Sequence, residues 1–158
     1  CMATLMRDSL DSHLQPTKLP EGAHVEQLIL IYPSTMMDLY VKDKSPLMKD
    51  AILLSGPVKH WFFNSYVPGE TLVEKRKLAN SDRRLCPLLG GAKHLPPMFI
   101  FYGTIDPLGP GIAVAVEMLK KNGCKVDVNV YPGQPHGFLV YDNAAAKAAV
   151  KEIVARLQ

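Results

Sequence analysis

PPMFIFYGTIDPLGPGIAVAVEMLKKNGCKVDVNVYPGQPHGF, residues 96–138, decides the fold. Met98 to Tyr102 is an apolar run that stops at Gly103 and delivers Asp106 into the loop Thr104-Ile105-Asp106-Pro107. A helical pattern follows, then a second strand pattern from Lys125 to Tyr131. That strand ends in Pro132-Gly133-Gln134-Pro135 and delivers His136. One helix between two strands implies a right-handed crossover, so the strands run parallel and both loops open at the same sheet edge. In open α/β sheets, ligands bind at that edge.

The rest of the chain extends this pattern. Gln27 to Tyr32 is another continuous apolar run, closed by Pro33. A run without alternation predicts a parallel strand covered on both faces. In Lys125 to Tyr131, Val126, Val128 and Val130 alternate with Lys125, Asp127 and Asn129, which predicts a strand at or near the sheet edge. Gly111 to Asn122 predicts a helix with Ile112, Val116 and Leu119 inward, cations Lys120 and Lys121 in its last turn and Gly123 just past its end. A final helix begins at a cap from Asp142 or Asn143. It places Ala146, Val150, Ile153, Val154 and Leu157 on one stripe, with Lys147, Lys151 and Arg156 pointing away. Met2, Leu5 and Met6 give Cys1 to Leu10 a helical spacing too.

Residues 34–80 form a long insertion between the first two strands. Leu54, Val58, Trp61, Phe62 and Tyr66 recur there at helical spacing, and Pro68-Gly69 ends the pattern. Two readings stay open for this aromatic stripe: ordinary core packing, or a cap helix lining a pocket.

Composition excludes several classes. The 158 residues fit one domain, nearly half are apolar, and the net charge is +3. Basic residues are scattered with no aromatic interleaving, which argues against nucleic acid as a partner. No apolar run reaches transmembrane length. Cys1, Cys86 and Cys124 are odd in number and widely spaced, unlike a disulfide framework or a metal site. They fit thiols in a reducing compartment, which favours the cytoplasm.

The chemistry lies in Asp106 and His136. A carboxylate that accepts a hydrogen bond from one imidazole nitrogen fixes the tautomer, and the other nitrogen then takes a proton from a nucleophile. Each residue alone has a bland reading. Asp before Pro opens many turns, and a His-Gly step is usually surface. The joint order of strand, Asp-Pro, helix, strand and Pro-His-Gly-Phe is far more specific. If the pair acts together, a ring nitrogen should lie roughly 2.6–3.2 Å from the carboxylate. His13, His24, His60 and His94 sit in polar or insertion contexts and read as structural or exposed.

These segments resemble a known family. PPMFIFYGTIDPL and YPGQPHGF are similar to the last two catalytic segments of α/β-hydrolases of the hormone-sensitive-lipase-like esterase group. QLILIYP, HWFFNSYVPG and LCPLLGGAKHLPP resemble that group's strand before the cap contribution, its aromatic helix and its approach to the acid-bearing strand. The resemblance spans most of residues 1–158. It implies an α/β fold made of the last parallel strands of an α/β-hydrolase sheet, with flanking helices and part of the cap. It implies Asp106 as triad acid and His136 as base, in the family's Ser, Asp, His order. It also implies a small-molecule ester substrate, with no metal or cofactor in the chemistry.

The departure from the family is large. Neither the G-x-S-x-G elbow nor an HGGG-type oxyanion loop occurs, and none of Ser9, Ser34, Ser45, Ser55, Ser65 and Ser81 has the flanking glycines. Cys1 to Leu10 resembles the continuation of the helix after the elbow, which would put the serine about one turn before Cys1. The expectation is therefore the C-terminal portion of a serine esterase or lipase, with Met36, Met37, Trp61, Phe62 and Phe63 as candidate pocket residues. The alternatives are a non-catalytic hydrolase-like module and a peptidase or thioesterase using the same triad. A strand that has lost its upstream neighbour is also expected to self-associate through its open edge.

Overall fold

Among the described residues, three parallel strands form one sheet in the order β1-β2-β3: β1 is Leu28–Ile31, β2 is Met98–Gly103 and β3 is Val126–Tyr131. The computed structural model describes residues 21–35, 53–82, 85–90 and 95–157. Leu30 stands opposite Ile100, and Ile100 opposite Val128. The two crossovers put all three carboxyl ends at one edge, as the sequence predicts. The expected helix at residues 1–10, and Met36 and Met37, lie outside the described residues.

Helices cover both faces. Helix α1 is Gly56–Tyr66, α2 is Leu72–Ala79, α3 is Gly109–Lys121 and α4 is Ala144–Arg156. Ile112 of α3 joins Ile100, Leu54 and Leu108 in a core on one face, with Leu30, Val58, Tyr102, Val116 and Val126 packed around it. On the other face, Ala146 and Ala149 of α4 pack on Phe138, with Tyr32 and Tyr131 alongside. Ile100 and Phe101 are both fully buried, so successive residues of β2 point into opposite dry layers. That is why its sequence shows no alternation.

Helix ends follow local chemistry. Pro110 sits in the first turn of α3, where a missing N–H costs nothing, and Gly123 follows the helix at φ +82°. The Asn143 side chain accepts from the Ala146 N–H at 2.8 Å, so Asn143 is the cap of α4.

Three details differ from the sequence reading. The inward line of α1 is Lys59, Phe63 and then Val67, whereas Trp61 and Tyr66 are mostly exposed. Leu54 and Val58 of the expected stripe do pack against the sheet, but farther along the helix the inward side passes to Phe63 and Val67, which pack with Ala79 and Leu85. In α4 the buried residues are Ala146 and Ala149, while Val150, Val154 and Leu157 stay exposed. Small side chains bring this helix close to Phe138. Arg156 does not point away: its guanidinium lies over the Phe99 ring at 4.1 Å and pairs with Asp127 at 3.2 Å. Helix α2 has a signal the sequence reading passed over. Thr71 and Glu74 form a capping box, each accepting from the other's backbone N–H, at 3.2 and 3.0 Å.

Candidate active site

The site starts with a close approach. Gly103 ends β2 directly beneath the loop that follows β3. A methyl group on Gly103 would lie 2.5 Å from the Gln134 carbonyl carbon and 2.9 Å from its Cβ. Only glycine lets the two loops touch here. They are then stitched together. The Ile105 N–H donates to the Gln134 carbonyl at 3.2 Å and the Thr104 N–H to the Tyr131 carbonyl at 3.0 Å. The Gly133 N–H donates to Thr104 Oγ1 at 2.8 Å. Asn143, while capping α4, donates through Nδ2 to Gln134 Oε1 at 3.1 Å.

This stitching brings Asp106 and His136 together. Asp106 Oδ2 and His136 Nδ1 are 3.0 Å apart, inside the expected hydrogen-bond range. The Asp106 side chain is fully buried, and that of His136 is 22 % exposed. The other carboxylate oxygen, Oδ1, accepts the Leu108 backbone N–H at 2.7 Å. Asp106 is therefore a turn residue and an imidazole partner at once, one oxygen for each role. It also sits at the start of α3, where the helix dipole favours a negative charge. A carboxylate only accepts, so the proton of this bond belongs to Nδ1, and in the neutral ring Nε2 keeps its lone pair. That tautomer can receive a proton through Nε2.

The loop must also turn His136 toward the edge. Gly137 adopts φ +74°, a left-handed step that sends Phe138 into the core while His136 stays at the surface. Tyr32, just past β1, completes the group. Its ring meets the His136 ring edge to face, with centroids 4.8 Å apart and planes at 62°. Burial pushes the Tyr32 hydroxyl above its ordinary value, and the negative charge of Asp106 pushes it the same way. Three consecutive strands thus each deliver one residue to the same spot. The sequence reading named two of them. Tyr32 carries no motif, and its only signal is its place between an apolar run and Pro33.

The candidate pocket residues separate. Phe63 is fully buried in the core between α1 and α2. Trp61 and Phe62 are exposed and pack edge to face, 5.0 Å between centroids. An open groove lined by Pro97, Met98, Phe99, Lys125, Val126 and Asp127 lies at the amino ends of β2 and β3, away from this pair. Among the described residues, no cluster of His, Cys, Asp and Glu could hold a metal ion. No helix among them is long and apolar enough to cross a membrane.

Residues 2–140 match the family model described as the alpha/beta hydrolase fold. The chain belongs to the α/β-hydrolase family. Among solved structures, this hydrolase chain is similar to a fungal esterase of Rhizomucor miehei, with TM-score 0.74 and 21% identity over 98% of this chain and 46% of that one. It is similar to an esterase of Pyrobaculum calidifontis, with TM-score 0.73 and 18% identity over 98% and 46% of the two chains. A hormone-sensitive lipase from a metagenome library gives TM-score 0.72 and 23% identity, over 98% and 47%. At these identities the likeness is one of fold. The hydrolase chain spans about half the length of the structures it matches. No curated protein matches it in sequence.

Proposed function

We propose that this chain supplies the acid and base of a serine carboxylic ester hydrolase that works through an acyl-enzyme. The observation that carries the reading is the 3.0 Å Asp106–His136 pair at the carboxyl edge of a parallel sheet in an α/β-hydrolase. The serine and the oxyanion donors would come from sequence preceding Cys1 in the full reading frame. In that mechanism His136 Nε2 takes the serine proton as Oγ attacks the ester carbonyl carbon. The imidazolium then gives the proton to the departing alkoxide, leaving the acyl-enzyme. Water repeats the sequence: Nε2 takes its proton, the acyl group leaves as a carboxylic acid, and the serine recovers its proton. Asp106 stays ionised throughout and stabilises the imidazolium.

Residues 34–80 act in this proposal as a cap over the substrate. Trp61 and Phe62 offer exposed apolar surface to an acyl chain, whereas Phe63 is buried against Val67, Ala79 and Leu85. Met36 and Met37, the other two candidates, lie outside the described residues.

One observation favours a second reading, a non-catalytic hydrolase-like module: no G-x-S-x-G occurs in these residues. Two preparations separate the readings. The 158-residue chain alone should not hydrolyse p-nitrophenyl acetate above a buffer-and-imidazole background. The protein from the full reading frame should turn over, and a fluorophosphonate should label one serine and stop it. Absence of both turnover and labelling in the full-frame protein would favour the non-catalytic module. A panel of esters, thioesters and peptides decides among the hydrolase classes, since fold alone does not fix substrate.

A further inference from the structure

Tyr32 is unusual in its backbone. It sits at φ +35°, and among the described residues no other non-glycine has a positive φ. Such strain persists only where the surroundings over-determine it, and it gathers at functional sites. Here the surroundings are explicit. The Tyr32 N–H donates to the Phe101 carbonyl at 2.7 Å, continuing the sheet ladder one step past β1. The ring packs on Phe138 at 6.0 Å and on His136 at 4.8 Å between centroids. His136 comes from the loop after β3, two strands away, roughly 10 Å across the sheet. The left-handed step lets a residue at the end of β1 reach it.

We propose that Tyr32 is a positioning residue for His136, its ring walling the imidazole into the one rotamer that points Nδ1 at Asp106. The proposal rests on the reading of His136 as a general base. A single hydrogen bond to Asp106 fixes one point of a ring that is still partly exposed. An aromatic wall removes the swing that this bond permits. Among the described residues, the titratable groups against the imidazole are Asp106 from the loop after β2 and Tyr32 from the end of β1. The raised Tyr32 hydroxyl stays neutral near pH 7 and adds no second anion.

The test uses the full-frame protein labelled with ¹⁵N-histidine, its His136 signals assigned by loss in His136→Gln. Wild type and Tyr32→Phe should show one tautomer, protonated on Nδ1, with a low-field Nδ1 proton. Tyr32→Leu should exchange that proton about two- to tenfold faster, the range expected for a lost aromatic contact. Tyr32→Gly should do the same, and it guards against misfolding because glycine accepts the positive φ without strain. Wild-type exchange in Tyr32→Gly would overturn the proposal, as would equal loss in Tyr32→Phe, which keeps the ring. Asp106→Asn is the control for the underlying reading. If it leaves tautomer and exchange unchanged, the Asp106–His136 pairing itself fails. If it alters them while Tyr32→Gly does not, only the role of Tyr32 falls.

Discussion

Gly103→Ala is the sharpest perturbation of this site, because the methyl meets backbone and not a yielding side chain. The new Cβ would lie 2.5 Å from the Gln134 carbonyl carbon. Carbon atoms rest at about 3.5 Å or more, so the loop after β3 must retreat by about 1 Å. That retreat breaks or stretches the bonds from Ile105 to Gln134 and from Thr104 to Tyr131, now 3.2 and 3.0 Å. Overpacking of this kind costs about 1–3 kcal/mol, and each lost hydrogen bond about 0.5–1.5 kcal/mol. The expected loss of stability is therefore about 2–6 kcal/mol. Carried to His136, the same retreat would open the 3.0 Å bond to Asp106 to about 4 Å, beyond useful length. Gly111→Ala is the control. It lies in α3 with open space where the methyl would go, and should be neutral or stabilising by up to about 1 kcal/mol. Urea unfolding measures both variants, and the low-field His136 proton reports the bond. If Gly103→Ala matches Gly111→Ala in stability and keeps that proton, the close approach at Gly103 does not hold the site together.

Three further outcomes are expected. Backbone N–H donors at Thr71 and Glu70, with the Thr71 hydroxyl, hold the Glu74 carboxyl below its ordinary value. A lowered folded value means the stabilisation is full above the unfolded value and fades as pH falls through the folded one. Urea midpoints should therefore drop on acidification more in wild type than in Glu74→Gln, and equal slopes would remove the capping box from the account. Phe63→Ala should cost about 3–5 kcal/mol because the ring is fully buried, while Trp61→Ala, mostly exposed, should leave the unfolding midpoint within experimental error; a similar cost for both would contradict the phase of α1. The 158-residue chain on its own should self-associate, since among the described residues β1 pairs on one side only. A monodisperse monomer in light scattering, with one cooperative unfolding transition, would refute that.

The strands, their parallel sense and the edge that gathers Asp106 and His136 were legible in the sequence. The reason is local. An uninterrupted run such as Met98 to Tyr102 can be satisfied only by apolar cover on both faces, and one helix between two strands fixes their direction. Gly123 and a cap at Asp142 or Asn143 were legible for the same kind of reason, because caps are set by neighbours one turn away. The capping box of Thr71 and Glu74 is equally local, spelled by a Thr and a Glu three residues apart.

What the tertiary structure decided involves residues far apart in the chain. The phase of α1 depends on Ala79 and Leu85 as packing partners, and hydrophobic spacing alone does not choose between Phe63 and Trp61. The inward turn of Arg156 needs Phe99 and Asp127 from two different strands. The need for glycine at 103 appears only when Gln134 arrives above it. Tyr32 is the clearest case. Its neighbours in sequence mark it as the end of a strand, and nothing near it encodes an imidazole 104 positions later. Sequence pattern records what each segment must bury or expose. Which side chains meet is settled by the register of β1 on β2 and β2 on β3, and by the positive-φ backbone step at Tyr32.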